Sequence, residues 1–430
     1  MTLLFLTSTL PRFEGDAQAP FVLEQAAAFV KATNTMPVIL APGDAAAQAR
    51  ETLSGVAIRR FQYFLPKSAQ TLAYPAILPN LKAQPLRGMQ LPFFIASEYV
   101  AARKVLREKP DIEGVYAHWV APQGLVAWAL KKATGVPYVL QNHSSDLAVF
   151  WKLGGAGRAM ARRLVRDASV FFCVNVQQKR AVLGLFPQDQ RTEISSKIKV
   201  LPMGVAHNVG DGDGDASAEQ GGDGKSYEFG FMGRLSAKKG VAHLLRAHRR
   251  LVVEGQGPKL GVAGDGEARA TLKAAADPLC VSFEGFLSGA QKSAFLARCR
   301  TLVFPSIRDG DDVEGLPVAV LEALSLGKTV IVSPSTNIKM LPEWSEIEDD
   351  VHIIDDPSDD EALAAVMRRS LETVPAAVSA RHDRLRRIMA RYRWENLISE
   401  YIDTLSEHSV LSGPEINSKS ESQQSGKSAA

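Results

Sequence analysis

The sequence lacks several features that would assign the protein to a class at once. Its 430 residues include only three cysteines, Cys173, Cys280 and Cys299, too few and too scattered for a disulfide framework or a CxxC metal site. The formal net charge is only +3, with acidic and basic residues interspersed, so no nucleic acid is expected as a partner. No segment reaches the roughly 18 apolar residues that a membrane-spanning helix requires. These absences favour a cytoplasmic globular protein, with at most peripheral membrane contact at the inner face of the membrane.

The pattern of apolar residues predicts two α/β domains. The apolar residues 1–10 lack a basic n-region, so we interpret them as a first strand rather than a signal peptide. Short apolar runs, separated by segments with helical spacing, recur at 3–6, 38–40, 115–117, 138–141 and 170–174. The same alternation resumes at 228–232, 259–263, 281–284, 302–305 and 329–332. This rhythm indicates two doubly wound parallel sheets.

The predicted domain boundary lies where apolar residues disappear. Residues 206–226 are rich in Gly and Asp, which predicts a flexible insertion or linker. We therefore expect an N-terminal Rossmann-like domain over residues 1–205 and a C-terminal one over residues 227–390. Residues 391–411 follow as a further helix, and the low-complexity tail 412–430 is expected to be disordered.

A candidate phosphate site follows the first predicted strand of the second half. Gly233 and Arg234 lie in a turn that leads through Lys239 into a helix. Ligands of doubly wound sheets bind beyond the carboxyl ends of the strands, where an arginine can hold phosphate oxygens with two hydrogen bonds. An ordinary solvated basic loop would contain the same residues, so the turn alone does not decide.

A second candidate element leads from Glu314 into a helix predicted over residues 318–326. The amides of Gly315 and Leu316 can face an anion or a hydroxyl. The helix is apolar almost all round, so Glu322 should be buried, where a lone carboxylate is costly unless it is hydrogen-bonded. Two sugar hydroxyls could supply those bonds; an arginine or a backbone amide is the structural alternative.

Together these elements resemble the donor-site signature of the retaining family 4 glycosyltransferases. Glu314 and Glu322 stand in the E-x7-E relationship, and a Gly-Arg-Leu-Ser-x-x-Lys-Gly turn precedes them. A strand end with Gly264 and a Phe-Glu-Gly-Phe stretch ending at Phe286 occur in that family's order. The resemblance covers residues 229–327 and implies the GT-B fold, in which two Rossmann-like domains face each other across a central cleft.

The resemblance also implies roles for individual residues. Arg234 and Lys239 would hold the donor diphosphate, and Glu322 would bind the ribose hydroxyls. Glu314 would position the transferred sugar. The remaining donor-binding residues are those of the neighbouring loops: Gly233, Gly264, Phe286, Leu287, Gly315 and Leu316.

The first half supplies candidates for the opposite wall of the cleft. His143 follows a predicted strand and is similar to the family's His-x-x-Asp position, so with Glu314 it would be a catalytic residue that contacts the transferred sugar. His118 also follows a strand, and we expect it to orient its loop on the acceptor side. The loop after the first strand is similar to the acceptor-side loop of bacterial members and contains Glu14, Gly15 and Asp16.

Two further segments suggest larger-scale contacts. A predicted helix at residues 158–166 carries four arginines that would suit anionic lipid, although a solvated face is the ordinary alternative: Arg158, Arg162, Arg163 and Arg166. Lipid-linked acceptors, which are common in the family, support the membrane alternative. Residues 394–401 resemble the family's closing helix, which crosses back to the first domain.

The resemblance implies transfer of a sugar, with retention, from a UDP- or GDP-sugar to a glycan or lipid-linked acceptor in cell-surface polysaccharide biosynthesis. Bond cleavage leaves negative charge on the departing diphosphate, which Arg234 and Lys239 would stabilise. We therefore expect neither a metal nor another cofactor. The Asp-Gly-Asp runs at residues 211–215 lie in the predicted insertion and do not make a metal-binding DxD motif.

Other classes of protein share this fold, so the fold alone does not fix the function. A sugar-nucleotide epimerase would convert the donor without an acceptor, and a non-catalytic scaffold would bind without turnover. The Gly-Arg-Leu turn followed by E-x7-E favours transfer over both. A nicotinamide dehydrogenase is disfavoured because Gly264-x-Gly266-x-x-Arg269 lacks the third glycine of the dinucleotide fingerprint.

Overall fold

A computed structural model describes residues 2–16, 20–143, 147–206, 226–252, 257–307, 315–372 and 375–412 of the chain. In it the chain forms two α/β domains, each a parallel sheet covered by helices on both faces. The prediction of two doubly wound domains is thereby confirmed.

The first domain is built on eight strands: β1 Thr2–Leu6, β2 Val38–Pro42, β3 Arg50–Leu53, β4 Val56–Phe61, β5 Ile112–His118, β6 Tyr138–Asn142, β7 Val170–Cys173 and β8 Ile198–Val200. Their order is β3-β4-β2-β1-β5-β6-β7-β8, and only the edge pair β3 and β4 is antiparallel. The strand order reverses direction between β1 and β5, which makes this the switch point of the sheet. Strands β1, β2 and β6 are wholly buried, as expected of strands covered on both faces.

Helices cover both faces of this first sheet. They are α1 Pro20–Thr33, α2 Ile77–Ala83, α3 Leu91–Glu108, α4 Gln123–Thr134, α5 Ala148–Lys152, α6 Gly154–Asp167, α7 Val176–Leu183 and α8 Arg191–Ser196. Helices α3, α4 and α6 lie side by side over one face, while α1 packs on the other face. The loop after β1 therefore leads directly into α1 at the switch point.

The second domain has six strands: β9 Tyr227–Met232, β10 Leu260–Ala263, β11 Val281–Gly285, β12 Cys299–Phe304, β13 Thr329–Val332 and β14 Val351–Ile353. Their order is β11-β10-β9-β12-β13-β14, and every pair is parallel. The helices are α9 Val241–Arg249, α10 Arg269–Ala275, α11 Gly289–Arg298, α12 Val318–Ser325, α13 Trp344–Ile347, α14 Asp360–Leu371 and α15 Pro375–Met389. The switch point of this sheet lies between β9 and β12.

The last helix, α16 Trp394–Glu407, returns to the first domain. It packs against α1, and Leu397 and Tyr401 join the core under that helix. The two crossings between domains run side by side, because the Val205 amide donates to the Tyr392 carbonyl at 2.8 Å and the Trp394 amide donates to the Val205 carbonyl at 3.1 Å. The predicted insertion and tail fall almost entirely outside the described residues.

The sequence analysis did not predict four of the described strands. Strands β3 and β4 form an edge hairpin that contains Arg50, Glu51, Arg59 and Arg60, so they lack the apolar run that marks the central strands. Strands β8 and β14 are only three residues long each. Within the described part of the chain, no helix combines the length and apolarity needed to cross a membrane.

Candidate active site

A cleft of about 1540 Å³ lies between the two domains, at the carboxyl ends of strands from both sheets. The loop after β1 and one side of α1 form the first wall, and the loops after β9, β10 and β11 form the second. A smaller cavity of about 220 Å³ adjoins it and shares Met232, Gly233 and Ala319 with it. Both openings lie at the switch points, which is where doubly wound sheets bind ligands.

Backbone contacts between glycines shape the second wall. Gly264 has φ +137°, and a Cβ atom there would lie 1.9 Å from the carbonyl oxygen of Gly233. Its amide also donates to the Gly285 carbonyl at 2.6 Å. Only a residue without a side chain permits this approach, so the loops after β9, β10 and β11 pack backbone against backbone. Gly233 and Gly264, both predicted at the donor site, line the cleft together.

The turn that carries Lys239 is fixed to the loop after β12. Gly240 has φ +69°, and a Cβ atom there would lie 1.9 Å from the Pro305 carbonyl oxygen. The Ile307 amide donates to the Lys238 carbonyl at 2.8 Å. These contacts join the turn before α9 to the loop after β12, and they hold Lys239 at the smaller cavity.

Arg234 lines the larger cleft, one loop residue beyond Gly233. Its Nη2 and Nε atoms donate to Glu267 Oε2 at 3.2 and 3.3 Å. Glu267, which follows β10, was missed by the sequence analysis because no sequence motif links it to Arg234. This surface ion pair is weak, since both side chains are accessible to water, and a phosphate could replace the carboxylate.

Glu322 is almost buried on α12, as the apolar helix predicts. Its partner is neither an arginine nor a backbone amide: the Nζ atom of Lys292 on α11 donates to Glu322 Oε1 at 2.5 Å. Lys292 itself lines the larger cleft, whereas Glu322 lies behind it. No sequence pattern points to Lys292, because a single lysine on an amphipathic helix is usually a solvated residue.

A carboxylate of the first domain faces the same lysine. Burial raises the pKa of Glu24 on α1, and the positive charge of Lys292 opposes this rise. Burial would lower the pKa of Lys292, but the carboxylates of Glu322 and Glu24 outweigh it and raise that pKa above its ordinary value. Lys292 is therefore a charged ammonium between acidic groups from the two domains.

Two histidines meet at the carboxyl ends of β5 and β6. His118 Nδ1 lies 2.9 Å from His143 Nε2, and the rings stack at an interplanar angle of 15°. Burial lowers the pKa of His143 to about 3, and burial together with His143 lowers the pKa of His118. Both rings are thus neutral at pH 7, so one donates its N–H to the other. His143 lines the smaller cavity. His118, which the sequence analysis assigns to the acceptor side, is wholly buried and contacts His143.

The loop before α12 approaches the first domain at this pair. A Cβ atom on Gly315 would lie 3.2 Å from the carbonyl oxygen of His143. Leu316 lines the smaller cavity together with His143 and Lys239. Glu314 and Asp146, which is the aspartate of the His-x-x-Asp stretch that begins at His143, lie outside the described residues. The structure thus places the loop before α12 of one domain against the candidate histidine of the other.

The loop after β1 faces the larger cleft. Asp16 is buried and accepts hydrogen bonds from Arg12 Nε at 2.7 Å and from the Arg12 amide at 2.8 Å. Gly15 adopts φ +82° beside it. Asp16 therefore holds the shape of the loop, and Glu14 is the exposed carboxylate on this wall. Phe286 and Leu287, which the sequence analysis assigns to the donor side, line the opposite wall.

No group of three or more His, Cys, Asp or Glu residues is placed to hold a metal ion within the described ranges. The ionic groups that line the cavities include the cations Arg234, Lys239 and Lys292 and the carboxylates Glu14 and Glu24. Both walls carry charges of each sign, because Arg12 and Lys31 also line the first wall and Asp265 and Glu267 line the second. Arg234 and Lys239 follow β9 at the switch point of the second sheet, which is where doubly wound sheets bind phosphorylated ligands.

Two sheets that meet at a cleft in this way define the GT-B architecture, and comparisons with known proteins agree. Residues 17–195 match the model of the glycosyl transferase 4-like domain, and residues 214–382 match that of glycosyl transferases group 1. Sucrose-phosphate synthase from Thermosynechococcus elongatus superposes with a TM-score of 0.66 at 15% identity, covering 94% of this chain and 98% of that one. Anabaena HepE in complex with UDP superposes with a TM-score of 0.64 at 16% identity, covering 95% and 100%.

Curated proteins of similar sequence are described as biosynthetic glycosyltransferases. The chain is 27% identical over 308 residues to the putative teichuronic acid biosynthesis glycosyltransferase TuaC of Bacillus subtilis (strain 168), a match that covers 69% of each protein. It is 32% identical over 164 residues to the amylovoran biosynthesis glycosyltransferase AmsK of Erwinia amylovora, covering 35% of this chain and 38% of that one. The chain is therefore a glycosyltransferase of the GT-B fold. It belongs to the group 1, or family 4, glycosyltransferases, and the matches give no support to the epimerase or scaffold alternatives.

Proposed function

We propose that this enzyme transfers a sugar, with retention and without a metal, from a UDP- or GDP-sugar to a glycan or lipid-linked acceptor of a cell-surface polysaccharide. The observation that carries the proposal is the cleft, which has Arg234 and Lys239 on one wall and His143 on the other. The UDP bound to HepE supports a nucleotide-diphosphate donor. The names of TuaC and AmsK support a polysaccharide product.

Arg234 and Lys239 would stabilise the diphosphate as it leaves. Arg234 would exchange its exposed contact with Glu267 for two hydrogen bonds to phosphate oxygens. Lys239 would add a second positive charge from the smaller cavity. Because these charges are already in place, little reorganisation accompanies the build-up of negative charge in the transition state.

Glu322 would bind the ribose hydroxyls only after a change in its present contact. Its Oε1 atom is held by Lys292, so a ribose must share the carboxylate with the ammonium or displace it. Lys292 lines the cleft, which would bring it close to the bound nucleoside. Glu322 would therefore accept hydrogen bonds from the ribose only in the complex with the donor.

His143 would contact the transferred sugar as a neutral group. Its low pKa makes it a poor proton donor near pH 7, so it would orient the sugar by a hydrogen bond rather than protonate the leaving group. Glu314 would position the sugar from the opposite loop. No carboxylate is assigned as the nucleophile of a double displacement. The acceptor would therefore attack the sugar from the same face that the diphosphate leaves.

Peripheral membrane contact through α6 is also part of the proposal. Arg158, Arg163 and Arg166 are exposed on that helix, each with its guanidinium over a neighbouring aromatic ring at 5.4 to 5.9 Å. Arg162 is only half exposed and donates to the Leu185 carbonyl at 3.3 Å. Three of the four arginines therefore remain suited to anionic headgroups.

The test is product analysis with a panel of UDP- and GDP-sugars, a lipid-linked acceptor mixture, and EDTA in a parallel reaction. We expect one donor to give a product whose new linkage keeps the anomeric configuration of the donor, at an unchanged rate in EDTA. An inverted linkage would refute retention, and loss of turnover in EDTA that added Mg²⁺ restores would refute metal independence. Glu395→Gln, which alters a carboxylate elsewhere in the cleft, is the control for Glu322→Gln, which should weaken donor binding.

A further inference from the structure

Lys292 is a residue of the cleft whose charged group is almost withdrawn from water. It stands three and four positions before Phe295 and Leu296, the buried residues of α11, so it lies on the inward side of that helix. Only 17% of the Lys292 side chain and 9% of the Glu322 side chain are exposed. Removing two charges from water is costly, so such a pair is kept only where good geometry and further hydrogen bonds compensate. Lys292 is therefore expected to have polar partners beyond Glu322.

The ammonium group of Lys292 can make more hydrogen bonds than it makes within the protein. It offers three N–H donors, and within the described ranges its one hydrogen bond goes to Glu322 Oε1 at 2.5 Å. A hydroxyl group can donate to a carboxylate and at the same time accept from an ammonium group. The 2′- and 3′-hydroxyls of a ribose therefore match this pair, because they can bind both residues without breaking the contact between them.

A carboxylate of the first domain attracts the same ammonium group. Glu24 is the only acidic residue of α1, and it lines the cleft. Burial raises the pKa of Glu24, the positive charge of Lys292 lowers it, and the negative charge of Glu322 raises it again. The two carboxylates thus repel each other, and the ammonium group near them stabilises both as anions. Glu24 and Glu322 therefore act on Lys292 from different domains.

We propose that Lys292 binds the ribose of the donor together with Glu322, and that Glu24 positions the ammonium group of Lys292 for this contact. In the donor complex a ribose hydroxyl donates to Glu322 and accepts from Lys292. Glu24 does not touch the donor; it keeps the ammonium group in place while Glu322 shares its oxygen atoms with the ribose. This inference rests on the proposed nucleotide-sugar donor, and it adds one contact with the ribose and one positioning residue from the first domain.

The charges of the site explain why a lysine is needed beside the ribose. A donor diphosphate is an anion, so two neighbouring carboxylates without a cation would repel it. The positive charge of Lys292 compensates for one of them, and both Glu24 and Glu322 can then remain ionised near the nucleoside. Because ribose is common to UDP- and GDP-sugars, the contact serves a donor with either base.

The first experiment is calorimetric titration of the full chain with UDP and GDP and with their 2′-deoxy and 3′-deoxy forms. We expect the wild type to bind at least one deoxy form about tenfold or more weakly than the parent nucleotide. Lys292→Met should reduce this penalty by about threefold or more, because one of the two partners of the hydroxyl is gone. Lys292→Arg keeps the positive charge and should retain most of the penalty.

The control for the lysine is Lys273→Met, which removes an exposed lysine of α10 and should leave the penalty unchanged. A lysine with a purely structural role would lower the affinity for every nucleotide by the same factor. The same penalty in the wild type and in Lys292→Met would therefore overturn the proposal.

The role of Glu24 is tested by steady-state kinetics with the donor. Glu24→Gln should raise KM for the donor about threefold or more and leave kcat nearly unchanged, since Glu24 touches no reacting atom. In the Lys292→Met background the same substitution should have no further effect, because Glu24 acts through the lysine. Glu395→Gln, which changes another carboxylate of the cleft, is the control. A rise in KM for the acceptor alone, or additive effects in the double variant, would overturn the positioning role.

These measurements separate the inference from the proposed function. Glu24→Gln leaves Lys292 and Glu322 in place, so its KM decides the question even if Lys292→Met does not fold. Nucleotide binding that depends on the ribose, without transfer of any sugar, would refute the proposed function and support the ribose contact. Sugar transfer with no penalty for either deoxy form would refute the ribose contact alone. Absence of binding by both UDP and GDP would overturn both.

Discussion

The Nζ atom of Lys292 lies 2.5 Å from the Oε1 atom of Glu322, so the carboxylate that we propose for the donor ribose has an ionic partner within the protein. Glu24 from the first domain interacts with the same lysine. The three groups connect helices α1, α11 and α12 across the cleft. A bound ribose would change the partners of Glu322. Through Lys292, this change would alter the electrostatic environment of Glu24 in the opposite domain.

Removing the lysine should therefore affect both stability and donor binding. Lys292→Met leaves Glu322 almost buried without its cation, which should lower the free energy of unfolding by about 3–5 kcal/mol and raise KM for the donor. Urea unfolding and initial-rate kinetics measure the two effects. Adding Glu322→Gln to Lys292→Met should restore part of the stability, because no charge is then left unpaired. Equal stability of wild type and Lys292→Met would show that the ion pair contributes nothing.

The contact between Gly264 and Gly233 makes a second prediction. Gly264→Ala should cost about 3 kcal/mol and abolish donor binding, because its Cβ atom would lie 1.9 Å from a carbonyl oxygen and would force the loops of the second wall apart. Gly135→Ala is the control: Gly135 also has a positive φ, of +79°, but nothing lies within 4 Å of its Cβ position. That variant should cost about 1 kcal/mol and bind the donor normally. Thermal shifts with and without donor separate these outcomes.

The histidine pair predicts a dependence of stability on pH. Both pKa values are lower in the folded protein than the ordinary value of about 6.5, so the unfolded chain binds more protons as the pH falls below that value. The stability that neutral histidines provide is present above pH 6.5 and is lost on acidification, by at most about 1.4 kcal/mol per pH unit for each histidine. Unfolding of wild type and His118→Asn between neutral and acidic pH should give a shallower slope for the variant. Parallel slopes would contradict the assignment of neutral rings.

His118 should act by positioning His143. Asn can place a polar atom near the site of Nδ1, whereas Leu cannot, so His118→Asn should retain more kcat than His118→Leu. We expect the leucine variant to lose about tenfold or more in kcat, with a smaller change in KM for the donor. If the two variants were equally impaired despite similar unfolding midpoints, the contact with His143 would have no specific role.

The sequence predicted the central strands of both sheets because strands buried on both faces consist of continuous apolar runs. It could not predict β3 and β4, whose charged residues interrupt the apolar run, or the three-residue strands β8 and β14. Those elements depend on tertiary pairing at the ends of the sheets rather than on local composition. Propensity alone carries little information for such short segments.

Candidate site residues were predictable where a local pattern accompanied them. Gly233, Arg234 and Gly264 follow strands and line the cleft, and their placement follows from the parallel sheet. Lys292, Glu24 and Glu267 had no such pattern, because their roles depend on contacts between segments that are distant in the chain. The buried contact between His118 and His143 likewise joins the ends of two strands, and no spacing in the sequence encodes it.

The most direct test of the central claim is release of free nucleotide from a panel of UDP- and GDP-sugars by the wild type, Arg234→Gln and Arg269→Gln. Arg269 is a partly exposed arginine in the same domain and serves as the control. The account predicts that one donor is turned over by the wild type and by Arg269→Gln, and that Arg234→Gln releases its nucleotide at least about tenfold more slowly. Nucleotide release that is independent of Arg234, or absent with every donor, would contradict a donor site on this wall of the cleft.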